Sequence, residues 1–514
     1  MKLGLNFPEQ DTGSERKPEI RPARVTAWLE STGERDTTTA ARLIGDALAS
    51  INRTPMNDAR RFELTAQYWK TAQTLWAPLA RHFARAPQPL AGEAQDAARA
   101  ALVLATELAN AYKRLLQRES DKRLSLGGPR LMVALVRRSL QASSRVLVNS
   151  YVSYSPVPAQ TWHDMHAIYM FARSRDIHLV ARGDDPAEST PEGIYVHSLL
   201  LALANPYGFS PGQLELVIRY LIDHGHHAKL TDVAPVHRMA KAVAIVPVGH
   251  DFPPFSANKG GSTNGTKLFL LTFDLAFQLQ EQLQALETGG NPPDGFRREP
   301  ASRPRNLALL RRLLRQWAIP PARQFSRLPS RGRIIVSAGF LNAWHGSRSD
   351  DRRLIGGHPD LSPPTSCQIL NQTPGGYALR QIATTPAPLR IGDLIALRVD
   401  GKLGIQIAIV RWFRNTMTGS ALEFGCEIVS DSPKAGTAAA EDGHEHAPTP
   451  VVVLPGEKTD SDDTSPDQLV VPSGAFGLEH AIGLWHEKSK RVAVLTKHVD
   501  QGPDFEIYEF AAVA

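Results

Sequence analysis

The hydrophobic pattern changes its period near residue 331, and this change most constrains how the chain can fold. From about residue 23 to residue 314, apolar residues recur at helical spacing, as in "NDARRFELTAQYWKTAQTLWAPLARHF". After residue 331 come short runs rich in Val and Ile, such as "RIIVSAGFLNAWH" and "GIQIAIVRWF", separated by Gly, Pro, Asn and Asp. The pattern predicts a multidomain α+β protein, with a mainly helical N-terminal region, a small antiparallel β-barrel and a further β-rich C-terminal segment.

Shifts in composition suggest where the domains begin and end. A length of 514 residues suggests several cores. We expect a flexible leader, a mostly helical domain with a short β insertion near 240–273, a β-barrel preceded by an arginine segment, a linker or loop, and a C-terminal β extension or small β-domain. The boundaries expected for these five parts are 1–22, 23–316, 317–430, 431–450 and 451–514.

One helical segment carries an aromatic stripe. Phe62, Trp69, Trp76 and Phe83 are spaced seven residues apart, which predicts that they share one helix face packed into the core. An asparagine at position 57 stands where a helix N-cap would lie. A proline at position 78 suggests a kink or a break.

Several classes of protein are disfavoured by what the sequence contains. No apolar run approaches the roughly 20 residues that span a bilayer, and the first residues lack the apolar core of a signal peptide. We therefore expect a cytoplasmic protein without a membrane segment. The two cysteines, Cys367 and Cys426, have neither CxxC nor zinc-ligand spacing, so neither a disulfide framework nor a structural zinc is expected.

Motifs for metal binding, nucleotide triphosphates and catalysis are also weak. His163 and His166 lie three apart and a second group falls in "DHGHH", but no acidic pattern such as HExxH accompanies them, so structural histidines are favoured. The glycine-rich loop from Gly260 to Lys267 reverses the order that GxxxxGK(S/T) requires. No GxSxG or cysteine-protease motif is present, and we expect a protein that is not an enzyme.

Charge is unevenly distributed. Residues 297–333 hold eleven arginines and a single acid, Glu299, whereas residues 431–467 hold nine acids and two lysines. The preference for arginine over lysine favours planar, bidentate recognition of phosphate. A solvated helix face followed by a basic loop is the simpler alternative.

Two short motifs flank the first strand of the β region. In "ARQFSRLPSRGRIIV" the arginines Arg323, Arg327 and Arg331 are each four residues apart. In "CQILNQTPGGYALR" the turn contains Asn371 and Thr373 followed by two glycines. By itself this turn predicts only a strand connection, because Pro and Gly favour tight turns.

Together these motifs resemble the PilZ domain family, whose signature is RxxxR ahead of a β-barrel and (D/N)xSxxG in a strand connection. The following segments, "IGDLIALRV", "IAIVRWF" and "LEFGCEIV", also resemble that family in order. The resemblance implies cyclic di-GMP as the ligand, no cofactor, and a bacterial signalling effector in motility, adhesion or biofilm control. Its helical part would pass the signal to a protein partner.

The family's motifs imply the ligand-binding residues. They are Arg323, Arg327, Asn371, Thr373 and Gly376, with Arg331 and Gly375 as auxiliaries. Arginine forks can pair with guanine O6 and N7 or with phosphate, and can stack on a purine. The short polar side chains can hydrogen-bond a guanine edge or a phosphate, and glycine permits close backbone approach.

The turn departs from the usual motif at two positions. Thr373 replaces the usual Ser, which keeps the hydroxyl but adds a methyl group that narrows the pocket. Asn371 replaces the commoner Asp, which removes a negative charge beside the phosphates and adds a hydrogen-bond donor.

The arginine register is not unique. Arg323 with Arg327 and Arg327 with Arg331 both satisfy RxxxR, and Arg348 with Arg352 is a third match. The first pair is preferred, because Leu-Pro then separates it from the strand, and the third is disfavoured because two aspartates flank it. The alternatives to a receptor are a degenerate PilZ-like interaction module that binds no nucleotide and, less favoured, a nucleic-acid binder that uses the basic block.

Overall fold

The computed structural model divides the chain into two compact units. The first comprises residues 1–86, 90–207 and 211–322, and the second comprises 87–89, 208–210 and 323–514. The finer domain boundaries expected from the sequence stay predictions. The structure describes residues 3–11, 18–122, 128–181, 190–235, 242–257, 265–318, 328–330, 332–348, 361–382, 387–401, 404–416, 421–441, 446–456, 465–486 and 489–513.

The first unit is mainly helical, as its periodicity predicts. Its helices are α1 (Pro22–Gly33), α2 (Thr37–Arg53), α3 (Asp58–Phe83), α4 (Gly92–Asp121), α5 (Gly128–Val152), α6 (Thr161–Ser174), α7 (Pro191–Leu203), α8 (Pro211–His224), α9 (Phe273–Glu287) and α10 (Arg303–Trp317). The Asn57 side chain caps α3 as expected, accepting a 2.8 Å hydrogen bond from the Arg60 N–H. Within the ranges given above, no helix is long and apolar enough to cross a membrane.

The aromatic stripe of α3 is not buried along its whole length, contrary to expectation. Phe62 is 41% exposed and Trp69 is half-buried, whereas Trp76 and Phe83 are 8% and 2% exposed. Positions seven apart drift by about 20° per heptad on a straight helix, so the stripe turns from solvent into the core. The helix continues through Pro78 without a break. Packing of its buried face outweighs the lost backbone hydrogen bond.

A small antiparallel sheet interrupts the helices between α8 and α9. Its strands are β1 (Lys229–Thr231), β2 (Val243–Val246), β3 (Phe255–Ser256) and β4 (Leu268–Leu271), in the order β1-β4-β2-β3. Most of the glycine-rich loop from Gly260 to Lys267 lies outside the described residues.

The second unit contains a seven-stranded antiparallel sheet that closes into a barrel. Its strands are β5 (Leu328–Pro329), β6 (Arg333–Ala338), β7 (Thr365–Thr373), β8 (Gly376–Gln381), β9 (Leu394–Val399), β10 (Gln406–Asn415) and β11 (Leu422–Ser430). β5 pairs with the C-terminal end of β7, and β6 pairs with the N-terminal end of β7 on the same edge. From β6 the strand order around the barrel is β6-β7-β8-β11-β10-β9, and the pairing of β9 with β6 closes the barrel. A short helix, α11 (Phe340–Gly346), follows β6.

A second closed antiparallel barrel follows the first. Its strands are β12 (Lys434–Ala440), β13 (Thr449–Leu454), β14 (Gln468–Pro472), β15 (Ala481–His486), β16 (Ser489–Gln501) and β17 (Phe505–Val513), in the order β12-β13-β14-β17-β16-β15. The linker or loop expected at 431–450 therefore supplies a strand, β12. Its "KAGTAAA" sequence has weak strand propensity, but β13 and β15 pair with it on both sides, and this pairing outweighs propensity.

The two barrels share one hydrophobic core. The outer face of the first barrel contributes Leu394, Ile407 and Ile409, and α11 contributes Phe340 and Ala343. These residues pack on a set from the second barrel that is likewise buried, namely Val452, Leu454, Val470, Phe505 and Ile507. The Trp344 indole N–H also donates a 2.8 Å hydrogen bond to the Gly436 carbonyl.

Truncating the shared core should destabilise the second unit. Leu454 is 2% exposed, so Leu454→Ala should lower the free energy of unfolding by about 2–5 kcal/mol through lost burial and a cavity. Val513→Ala is the control, because Val513 is 52% exposed and its truncation should change stability by no more than about 0.5 kcal/mol. Urea denaturation followed by circular dichroism measures both. Equal effects in the two variants would contradict the shared core.

Candidate functional site

The turn singled out in the sequence is a tight hairpin between β7 and β8. Thr373 pairs with Gly376, leaving Pro374 and Gly375 as its two exposed central residues. The Thr373 hydroxyl donates a 3.3 Å hydrogen bond to the Gly376 carbonyl, and the Ile428 N–H donates a 3.0 Å hydrogen bond to the Gly375 carbonyl. Hydrogen bonds therefore hold the turn both within the hairpin and to β11.

A β-bulge in β7 decides which face of the barrel the motif occupies. Ile369 pairs with Leu379, and both side chains are buried in the barrel interior, at 2% and 0% exposure. The pairing then shifts by one residue, so that Asn371 pairs with Ala378 on the outer face. Side chains alternate along a strand, so without the shift Asn371 would point inward like Ile369. The bulge thus places Asn371 and Thr373 on the outer surface.

A second bulge, in β10, completes this outer surface. The pairing of β10 with β11 shifts between Val410 and Trp412, and Trp412 then pairs with Gly425. A Cβ atom added at Gly425 would lie 1.8 Å from the Trp412 Nε1 atom, so the indole lies directly over this glycine. Gly425 in turn pairs with Ala378, the partner of Asn371. One cross-strand row therefore carries an amide, two small residues and a half-buried indole.

Acidic residues form ion pairs with three arginines of this outer face, Arg380, Arg411 and Arg414. The Glu423 carboxylate accepts from Arg380 at 2.7 Å and from Arg414 at 2.9 Å. Burial opposes ionisation of Glu423, but these two hydrogen bonds outweigh it and hold the pKa of Glu423 below its usual value. The Arg411 guanidinium lies 2.7 Å from Glu427 and 2.6 Å from Asp500 of β16. Arg333 of β6 lies in the same cross-strand row as Arg380, is exposed, and has no ion pair within the described parts of the chain.

The arginine half of the expected site lies outside the described residues. This applies to Arg323, Arg327 and Arg331 alike. The chain that follows Arg327 is described, and there Leu328 pairs with Gln372 while Pro329 pairs with Asn371. The structure therefore brings Asn371, Thr373 and Gly376 together and pairs Leu328 and Pro329 with the same strand.

The third RxxxR match is only partly described. The Arg348 guanidinium lies 5.5 Å from the centre of the Trp344 ring, a cation–π contact. The second arginine of that match, at position 352, is outside the described ranges.

Both cysteines and His166 are buried. Cys367 and Cys426 are free and buried in the first barrel, and burial raises the pKa of each thiol to about 12. The His166 ring contacts the Tyr195 hydroxyl at 2.5 Å and the Phe252 carbonyl at 2.9 Å, and burial lowers its pKa to about 4. Among the described residues, no group of histidines, cysteines and carboxylates is arranged to hold a metal ion.

Comparison with known families agrees with this architecture. The family model "Cyclic-di-GMP receptor FimW, middle PilZ domain" matches residues 356–435, and the model "Cyclic-di-GMP receptor FimW, N-terminal domain" matches residues 23–235. The first of these matches identifies residues 356–435 as similar to a PilZ domain. Across its length the chain is similar to the cyclic-di-GMP receptor FimW of Pseudomonas aeruginosa, with 22% identity over 498 residues, 83% of this chain and 80% of that protein.

Trp412 of this surface is not among the site residues that the sequence motif predicts. The segment "IAIVRWF" predicts a strand, but ordinary alternation cannot place both Arg411 and Trp412 on one face. The bulge in β10 does so. The sequence signal for an outward-facing Trp412 is its place directly before a core phenylalanine, Phe413, since neighbouring side chains of a strand point to opposite faces.

The two glycines of the turn should respond differently to alanine. A Cβ atom at Gly376 would lie 2.2 Å from the Cys426 carbonyl oxygen, so Gly376→Ala must distort the β8–β11 pairing. We expect this variant to lose about 1–3 kcal/mol of unfolding free energy, as overpacked sites do. Gly375 has no atom within 4 Å of the added Cβ, so Gly375→Ala should stay within about 0.5 kcal/mol of the parent. Thermal or urea unfolding measures both, and equal stability would show that the close approach does not exist.

Proposed function

We propose that the outer face of the first barrel binds cyclic di-GMP. The similar protein from Pseudomonas aeruginosa is a cyclic-di-GMP receptor, and the matching family model describes a PilZ domain of that receptor. The ligand-binding residues proposed are those expected from the sequence, with Trp412 added.

The described surface offers groups that suit a guanine base. Asn371 and Thr373 stand two residues apart on the outer face and present an amide and a hydroxyl. The half-buried Trp412 indole lies over Gly425 on the same face, and Gly376 allows β8 to pack closely against Cys426 of β11. A purine can stack on an aromatic or guanidinium plane while its edge is hydrogen-bonded by short polar side chains.

The phosphates require positive charge. Three arginines of the barrel face are held by Glu423, Glu427 and Asp500, so we assign this role to the arginine segment, with the exposed Arg333 of β6 as a further source of charge. The pairing of Leu328 with Gln372 is the observation that carries this proposal. Leu328 directly follows Arg327 in the sequence, and Arg323 precedes Arg327 by four residues. We therefore propose that these two arginines supply the charge for the phosphates.

The proposed role is that of a cytoplasmic, non-enzymatic effector in motility, adhesion or biofilm control. A ligand that favours one arrangement of the arginine segment shifts the population of that arrangement. The helical unit would pass this shift to a protein partner. The alternative is a barrel that no longer binds nucleotide and serves for docking.

Calorimetric titration of the full chain with cyclic di-GMP tests the proposal. We expect saturable binding, and Arg327→Ala should weaken it about 100-fold or abolish it, because charge-assisted hydrogen bonds are lost. Arg305→Ala is the matched control, since Arg305 is an exposed arginine of α10 in the same basic block. Absence of heat at high micromolar ligand would favour the docking module, and unchanged affinity in Arg327→Ala would show that the arginine register is wrong.

Two substitutions at Thr373 test the role of the turn. Thr373→Val keeps the shape and removes the hydroxyl, so affinity for cyclic di-GMP should fall about tenfold. Thr373→Ser keeps the hydroxyl and removes the methyl group, so affinity should be retained or increased. The same titration measures both variants. Equal affinities for the valine and serine variants would exclude a hydroxyl contact with the ligand.

A further inference from the structure

Two arginines of α5 lie on two tryptophans of α3 with matching spacing. The Arg138 guanidinium lies 4.7 Å from the centre of the Trp69 ring, and the Arg145 guanidinium lies 5.3 Å from the centre of the Trp76 ring. The arginines are seven residues apart on one helix, and the tryptophans are seven apart on the other. Because both numbers rise together, the two helices run in the same direction. The four residues form what we call the arginine–tryptophan row.

Helix α4 supports the arginine–tryptophan row from below. It packs against both α3 and α5. Its Tyr112 ring meets the Trp69 ring edge to face, with ring centres 5.5 Å apart and planes at 83°. Tyr112 and Trp76 are buried, whereas Trp69, Arg138 and Arg145 are only half-buried. The row is therefore fixed on a packed base, and its two guanidinium groups and one indole remain partly open to solvent.

The guanidinium groups of the row have few acceptors within the described parts of the chain. Arg145 makes no hydrogen bond or ion pair there, and burial lowers its pKa. Arg138 donates a 3.1 Å hydrogen bond to the Gln141 side chain and has no ion pair there. A partly desolvated guanidinium without an acceptor is at a cost in free energy that a carboxylate can offset. The row is thus short of negatively charged acceptors.

The two helices that carry the row also lack acidic residues around it. Helix α5 contains four arginines and neither aspartate nor glutamate, and α3 has no acidic residue after Glu63. On α4, the Glu107 carboxylate is engaged by Asn52 and Arg53 of α2, at 2.8 Å and 3.8 Å. A partner that covers this positive surface must therefore supply negative charge.

The residue types and their spacing favour a protein as that partner. Arginine and tryptophan are the side chains most enriched where protein interfaces gain their binding energy. A guanidinium can lie on an aromatic ring and still direct its N–H edge to a carboxylate in a bidentate contact. Seven residues of helix rise about 10.5 Å, or two turns, which matches side chains seven residues apart on a second helix. Phosphates of a nucleic-acid strand follow at about 3.4 Å along the duplex axis and call for more closely spaced cations.

We propose that the arginine–tryptophan row is a docking surface for an acidic helix of a protein partner. Two carboxylates seven residues apart on that helix bind Arg138 and Arg145. An apolar side chain between them contacts the half-buried Trp69. The surface lies in the helical unit, so it gives a position to the partner proposed above and is distinct from the nucleotide site of the barrel.

Binding of a synthetic peptide to the full chain tests this surface. The probe is a fluorescein-labelled helical peptide of about 20 residues, with two glutamates seven residues apart and leucines at the third and fourth positions between them. We expect fluorescence anisotropy to show saturable binding with a Kd below about 100 μM. The same peptide with glutamine in place of both glutamates should bind at least about tenfold more weakly, because charge-assisted hydrogen bonds are lost.

Variants of the chain test the same contacts from the other side. Arg138→Gln and Arg145→Gln should each weaken binding of the glutamate peptide about tenfold. Arg130→Gln is the matched control, because Arg130 is an exposed arginine at the start of α5 outside the row, and its affinity should equal that of the parent. Thermal unfolding of each variant verifies that the helical unit is intact.

The outcomes do not depend on the barrel site, since no nucleotide is added. The glutamine peptide is compared on the unaltered chain, so this comparison stands even if an arginine variant fails to fold. No saturable binding at high micromolar peptide, equal affinity for the two peptides, or unchanged affinity in both arginine variants would each overturn the proposal. Arg145-dependent binding of duplex DNA or of phosphatidylserine vesicles, without binding of the peptide, would overturn it as well and assign the surface to another anion.

Discussion

One extra residue in β7 determines the chemistry of the first barrel's surface. Ile369 and Leu379 pair inside the barrel, and the pairing shift that follows turns Asn371 toward the outside. Since strand side chains alternate, loss of this shift would bury the amide of Asn371 and move Gln372 outward. The bulge in β10 has the same effect on Trp412. Backbone irregularities, more than the side chains alone, assemble the surface.

Hydrophobic burial and charge both tie that surface to the second barrel. Ile407 and Ile409 of β10 are fully buried in the shared core, a few residues before Arg411 on the same strand. Arg411 itself bridges Glu427 of the first barrel and Asp500 of the second. A change at the outer face of β10 therefore acts directly on contacts between the barrels. The C-terminal strands are part of the structural setting of the candidate site.

The sequence predicted the helices and strands better than it predicted the burial and pairing of their residues. Helix α3 was recognised with its Asn57 cap, but a heptad count could not show that Phe62 rotates into solvent. Strand propensity did not predict β12 at residues 434–440. There, pairing with β13 and β15 on both sides outweighs the weak strand propensity of an alanine-rich sequence. The PilZ-like motif predicted Asn371 and Thr373 as ligand-binding residues from residue type and spacing. It could not reveal the bulges, because pairing register depends on the partner strand.

The shared core also makes the two barrels depend on each other for burial of their apolar faces. The PilZ family match ends at residue 435, yet the face formed by Leu394, Ile407 and Ile409 is covered by residues 452–507. A fragment that stops after the match would present this apolar face to water and would be prone to self-association. Comparisons with isolated domains of the same family should therefore use the double barrel as the folding unit.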